Sequence, residues 1–410
     1  VRQQFILQAE IFMKQRVITR TVWILSLVSL FADVASEMLY PVMPVYLKSI
    51  GFSVLLIGVL EGIAQATAGL SKGYFGKLSD SMGVRLPFIR WGYLLAALSK
   101  PLLALSTLPL WVFAARTLDR FGKGLRTGAR DALLSEEATP ATKGRVFGLH
   151  RSMDTLGAVL GPGLALLYLY LRPGQYIPLF YMALAPGLVA VLLVYLLRER
   201  RKVPQPSYHV SKYNFFSFVR YWRDGPVAYR RLVSGLLLFA LFNSSDFFLL
   251  LRMEASGLQD TYVIGLYIFY NLVYALFSYP MGILADKIGL KPTYLLGLCF
   301  FAAVYFGMAT GQQLWGYLGL LLVYGLYAAA TEGISKAWIT NTSTPAHTAT
   351  AIGTYTAFES VATLLASSLT GLIWHTFGAA AAFAVSGIAA VVAGLYLVLA
   401  TKPLHVQQEP

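Results

Sequence analysis

Apolar stretches of about 20 residues recur along the chain between short polar breaks, each long enough to cross a hydrocarbon core of about 30 Å as a helix. Twelve spans are predicted, near 21–47, 54–75, 88–108, 110–135, 145–170, 176–197, 230–252, 262–285, 292–310, 313–340, 349–373 and 377–400. Helices are expected throughout, because lipid leaves the backbone groups of an open strand without partners. Three spans depart from uniform apolarity. The first carries a polar stripe of Ser26, Ser29, Asp33, Glu37 and Tyr40 within about 80° of a helical wheel. The fourth packs Arg116, Asp119, Arg120, Lys123, Arg126, Arg130 and Asp131 into about 140°. The eighth aligns Tyr267, Tyr270, Asn271, Tyr274 and Ser278 on one face.

A repeat organises these spans. Gly76-x-x-x-Asp80-x-x-Gly83-x-Arg85 returns 206 residues later as Gly282-x-x-x-Asp286-x-x-Gly289-x-Lys291. Gly128 to Asp154 aligns with Gly333 to Glu359 at an offset of 205, without a gap. The expected fold is therefore an all-α integral membrane protein of two pseudo-symmetric six-helix bundles. The bundles cover 1–197 and 231–410, with a cytoplasmic linker at 198–230, and a ligand is expected between them.

Composition agrees: 57% hydrophobic and 13% charged residues, with mean hydropathy +0.62. The net charge of +14 lies mostly in the linker and in the loops on one side, while the opposite loops are nearly free of Lys and Arg. The positive-inside rule puts both termini and the linker in the cytoplasm. That distribution explains the charge without nucleic acid. The first twenty residues carry no cleavable signal pattern, and Cys299 is the single cysteine, which leaves no disulfide framework or cysteine metal cluster.

The twelve spans, the 6+6 repeat, the long central loop and both Gly-x-x-x-Asp-x-x-Gly-x-Arg/Lys copies resemble the major facilitator superfamily over essentially the whole chain. The base that usually follows the aspartate is Ser81 in the first copy and Lys287 in the second. The resemblance implies alternating access by rocking of the two halves. It makes Gly76, Asp80, Gly83, Arg85, Arg130, Asp286 and Lys291 a conformational latch. Asp80 is expected to approach Arg130 or the cytoplasmic end of the eleventh span. Gly157-x-x-x-Gly161-Pro162 in the fifth span is similar to the antiporter signature of that superfamily, although the later glycine pair is missing. Apart from any resemblance, glycines four apart share a face and admit a neighbouring helix, and a proline loosens the helical ladder.

Charges at mid-membrane depth usually face a cavity, and two carboxylates one turn apart repel, so one of them can hold a proton. Asp33 and Glu37 are the candidate proton-coupling groups, with Asp154 and Glu359 behind them. Arg116, Arg120, Lys123 and His150 in the first half are expected to line the substrate cavity. So are Asn243, Asp246, Tyr267, Tyr270, Asn271, Tyr274, Tyr324 and Tyr327 in the second, where an aromatic, hydroxyl-rich wall suits an amphipathic organic molecule. The reading is a monomeric secondary transporter of the inner or plasma membrane, exporting a small organic molecule in exchange for protons. An anion, a metal chelate or a divalent metal ion is the alternative cargo. No cofactor and no resident metal are expected. No nucleophile–base pair, HExxH or Walker motif argues for an enzyme or for ATP drive.

Overall fold

A computed structural model describes residues 17–40, 42–198 and 214–401. Every regular element among them is helical. The first half contains α1 (Arg20–Glu37), α2 (Met43–Ser49), α3 (Val54–Met82), α4 (Leu86–Leu105), α5 (Pro109–Glu136), α6 (Lys143–Leu171) and α7 (Ile177–Tyr195). A 3-10 turn at Phe215–Arg220 and α8 (Tyr221–Asp224) lead into the second half. There follow α9 (Val227–Ala240), α10 (Phe247–Ala255), α11 (Asp260–Ile288), α12 (Leu290–Thr310), α13 (Leu314–Thr342), α14 (Thr348–Phe377) and α15 (Ala379–Ala400). Among the described residues, eight helices are individually long and apolar enough to cross a membrane: α4, α6, α7 and α11 to α15. The remaining four expected spans are α3, the charged α5 and two helices that are broken.

Those breaks correct the expectation of a continuous first and seventh span. The first divides into α1 and α2, where the sequence Tyr40-Pro-Val-Met-Pro supplies two prolines that remove donors and crowd the preceding residues. The seventh divides into α9 and α10 across Leu241–Asp246, where Asn243, Ser244, Ser245 and Asp246 compete with the helix for backbone groups. Each repeat thus opens with a helix interrupted at the same place.

Each half has its own apolar core, one around Leu25, Ile89 and Phe147 and the other around Phe301, Tyr305 and Ile334. The halves join where α3 crosses α14 and where α6 crosses α11. The glycines that betray the sequence repeat make both crossings. A Cβ on Gly76 would strike the Ala349 carbonyl, and one on Gly353 the Lys72 carbonyl. At the related crossing, a Cβ on Gly282 would strike the Gly144 carbonyl, and one on Gly148 would lie 2.6 Å from the Ser278 carbonyl. Backbones this close need glycine. All four lie near the end of the molecule that carries the two motif turns, called here the motif end.

Within the linker, the described stretch 214–224 packs beneath the α3–α14 crossing. Phe218 is 1% exposed, with its ring over Gly73. Its carbonyl accepts from Thr354 Oγ1 at 3.2 Å, and the Ser217 carbonyl accepts from Lys77 Nζ at 2.9 Å. The expected linker bases Arg200, Arg201, Lys202 and Lys212, with Pro204 and Pro206, lie outside the described residues.

Candidate functional site

Two carboxylates close the motif end. Asp80 ends α3, and Gly83 caps that helix in the left-handed region at φ 65°, which turns the chain back within one residue. Its carboxylate accepts from the backbone N–H groups of Ala349 at 3.3 Å and Thr350 at 2.6 Å, and from Thr350 Oγ1 at 2.6 Å. These are unpaired donors of the first turn of α14, where the helix dipole favours an anion. Arg85 holds the same carboxylate at 2.6 Å and reaches Glu136 at 3.3 Å. Asp286 repeats the arrangement at the other crossing. It accepts from Gly144 N at 2.8 Å and Arg145 N at 3.1 Å in the first turn of α6, and pairs with Arg145 Nε at 2.7 Å. Each aspartate thus clasps a helix of the opposite half by its N-terminus.

Of the two partners expected for Asp80, it meets the near end of the eleventh span and not Arg130. Arg130 does not reach Asp80: it binds Asp131 on its own helix at 2.9 Å and Ser29 at 3.3 Å, because its position on α5 turns it toward α1. Lys291 does not hold Asp286. Its Nζ donates to the carbonyls of Val398 at 2.9 Å and Thr401 at 2.5 Å, closing the C-terminus of α15. Arg145 supplies the base instead.

Beneath the clasps lies an ion pair that spans the halves. Asp131 is fully buried, and Lys336 Nζ of α13 stands 2.8 Å from it. His150, 5% exposed, places Nε2 at 4.0 Å from the same carboxylate, and its Nδ1 has no partner. His150 therefore belongs to this buried cluster.

Deeper, α1 meets α6 along the seam made by Gly157 and Gly161. A Cβ on Gly157 would lie 2.9 Å from that of Asp33, and one on Gly161 2.7 Å from Met38 N. The seam brings Asp33 beside Asp154, close enough for the two carboxyl groups to act on each other. Asp154 also accepts from Ser29 Oγ at 2.5 Å and from Arg151 at 2.7 Å. Lys123 and Glu37 lie close enough to act on Asp33. Arg151 then crosses to the second half, where its Nε donates to the Tyr274 hydroxyl and its other end lies 3.5 Å from Glu332.

Glu359, equivalent to Asp154, accepts from Tyr355 at 2.7 Å and is flanked by Glu332, Lys72 and Lys336. It lines a small cavity of about 30 Å³ with Asn243, Tyr294, Tyr327 and Glu332.

The tyrosines converge on one acid. Asp246 accepts from Tyr324 at 2.6 Å and from Tyr270, and Asn243 donates to the Tyr327 hydroxyl at 3.0 Å. The rings of Tyr267, Tyr270, Tyr324 and Tyr327 follow one another at centroid distances of 5.3, 5.3 and 5.2 Å. Asn271 is turned back to the Tyr267 carbonyl at 3.0 Å.

Arg116 and Arg120 are not open to a central cavity. They are 4% and 7% exposed and gather with Lys100 around Asp119, with Lys100 at 2.6 Å and Arg116 at 4.0 Å. Sequence reading passed over Lys72, Lys100, Glu332 and Lys336. All four sit inside predicted spans, so the rule that singled out Asp33 applied to them equally. Among the described residues, no group of three or more His, Cys, Asp or Glu side chains could hold a metal ion.

Comparison with known proteins adds four findings. The family model of the Major Facilitator Superfamily matches residues 25–270 and 253–410. An uncharacterised MFS-type transporter of Methanocaldococcus jannaschii is 31% identical over 388 residues, covering 93% of this chain and 95% of that protein. A shorter stretch of 116 residues is 31% identical to the multidrug resistance protein MdtH of Photorhabdus laumondii, over 28% of this chain and 29% of that protein. The crystal structure of the human organic anion transporter MFSD10 superposes with a TM-score of 0.79 at 18% identity, covering 93% of this chain and all of that one.

Proposed function

The chain belongs to the Major Facilitator Superfamily and is a secondary transporter, and we propose that it is a proton-coupled exporter of a small amphipathic organic molecule. The placement of the Asp33 and Asp154 carboxyl groups beside each other at the seam of α1 and α6 carries this reading. Two neighbouring carboxylates repel, so one of them can hold a proton. Arg151 ties that pair to Tyr274 and Glu332 of the second half. Proton occupancy and the relative position of the halves therefore share one set of contacts, which is what coupling requires. The partial likeness to a multidrug resistance protein supports export and an organic cargo.

In this reading the motif end is cytoplasmic, as are both termini, in the plasma membrane. Its two clasps and the Asp131–Lys336 pair are shut, so the access path opens on the other side. The 198–230 linker joins two rocking halves, and the unit of transport is one chain. The cavity wall is the Asp246–tyrosine group. The bases around Asp119 are structural, which takes from the anion reading its most concentrated positive charge.

Purified protein in liposomes under an imposed pH gradient tests the proposal, against a panel of aromatic cations, anions, neutral compounds, divalent metals and metal chelates. Accumulation of an organic compound that collapses with the gradient is expected. Accumulation of metal ions alone, or transport indifferent to the gradient, would refute it.

A further inference from the structure

A row of hydrogen bonds joins the Asp33–Asp154 pair to the ion pair that spans the halves. Ser29 Oγ of α1 donates to Asp154 Oδ1 at 2.5 Å and accepts from Arg130 Nη1 of α5 at 3.3 Å. Arg130 donates through Nε to Asp131 Oδ1 at 2.9 Å, with Nη2 at 2.9 Å from the same oxygen. Asp131 Oδ2 then faces Lys336 Nζ of the second half at 2.8 Å. Ser29, Arg130 and Asp131 are 1%, 8% and 0% exposed, so water does not replace a link that breaks.

A serine hydroxyl has one proton to give. While the Asp154 oxygen is ionised, Ser29 gives that proton to it and keeps its lone pairs for Arg130. When the oxygen takes up a proton it becomes a donor itself, and the Ser29 O–H must turn away. The next group in the row is Arg130, which offers only N–H groups, so donor meets donor. A buried donor without an acceptor is costly, and the guanidinium must shift to relieve it. Arg130 holds Oδ1 of Asp131 and thereby leaves Oδ2 to Lys336, so its shift loosens the pair that spans the halves.

We propose that Ser29 and Arg130 are positioning residues that carry the protonation of the Asp33–Asp154 pair to the Asp131–Lys336 contact, so that a bound proton opens the motif end. The inference rests on the carrier reading above and names the route by which its proton acts. Other charged or titratable groups face both ends of the row. Asp33 and Glu37 of α1, Lys123 of α5 and Arg151 of α6 stand at the Asp154 end, with Tyr274 and Glu332 reached through Arg151. At the other end His150 of α6 lies 4.0 Å from Asp131, Lys72 of α3 and Glu359 of α14 border the same cluster, and Tyr93 of α4 flanks Arg130. His150 is the rival among them, since its own protonation would act on Asp131 directly.

Spin labels on the two motif turns of the full chain in lipid nanodiscs measure the open-to-shut ratio against pH. As the pH falls from about 8 to about 6, the wild-type ratio should rise several-fold, below the ceiling of about tenfold per pH unit that one linked proton sets. Ser29→Ala should flatten this response, and Ser29→Thr, which returns the hydroxyl, should restore it. Adding Lys336→Met to Ser29→Ala should still open the motif end, which shows that the variant is folded and its labels report. His150→Gln should keep the pH response. A flat or inverted wild-type response, a full response in Ser29→Ala, a flat one in Ser29→Thr or His150→Gln, or a Ser29→Ala protein that Lys336→Met does not open would overturn the inference. A flat response in Asp33→Asn beside a full one in Ser29→Ala would remove this route alone and leave the carrier reading, which the pH-driven accumulation above tests separately.

Discussion

Asp131 and Lys336 occupy equivalent positions of the two repeats, 205 residues apart, and their side chains meet at 2.8 Å. Residues can touch their own equivalents only beside the axis that relates the two halves, so this pair marks that axis at the motif end. It is also a lock, because separating the halves there must break it. Lys336→Met and Asp131→Asn should each shift the population toward the conformation with the motif end open. In a double-mutant cycle the two should be coupled by about 0.5–3 kcal/mol. Distances between spin labels on the two motif turns measure the populations; additive effects would remove the lock.

The two clasps should respond alike. Asp80→Asn keeps an acceptor for the α14 amides but loses the charge that holds Arg85. Asp286→Asn does the same to Arg145 and the α6 amides. Charge at a helix N-terminus contributes about 0.3–1 kcal/mol and up to about 2 where partly buried. Each variant should open the motif end to a cysteine-directed reagent several-fold faster than wild type. A wild-type rate for either variant would show that its carboxylate does not hold the motif end shut.

Gly76→Ala and Gly282→Ala test closure without touching a charge. The added methyl groups would collide with the carbonyls of Ala349 and Gly144, backbone atoms that cannot rotate away. Both variants should fold, because the collision exists only with the motif end shut, and both should favour the open state in the same spin-label measurement. A wild-type distance distribution would show that the crossing can relax around a methyl group.

Much of this was legible in the sequence because it is repeated. The motif aspartates, the glycines of the crossings and the Gly157–Gly161 seam are local patterns with a steric or electrostatic reason. Partners across the halves were less legible. Arg130 was one of two expected mates of Asp80, from its depth alone, but its direction around α5 sends it to Asp131 and Ser29 and leaves Asp80 to the end of α14. Lys291 matches Arg85 in the motif, yet it caps α15, because a matching position does not guarantee a matching environment. The helix breaks had visible signals, two prolines in one and an Asn-Ser-Ser-Asp run in the other, that a count of apolar residues overlooks. Lys336 was missed for the same reason. A lysine in an apolar span and an aspartate at its repeat-equivalent position already imply a pair at the axis.

The central claim, that Asp33 and Asp154 couple a proton to the movement of cargo, is tested most directly by proton flux. Liposomes containing the protein and a trapped pH dye would be loaded with a transported compound and diluted. Wild type should move protons against the outflow of the compound. Asp33→Asn should still exchange labelled for unlabelled compound, yet move no protons and fail to concentrate it under a pH gradient. Proton movement and concentrative transport at wild-type levels in Asp33→Asn would contradict the account.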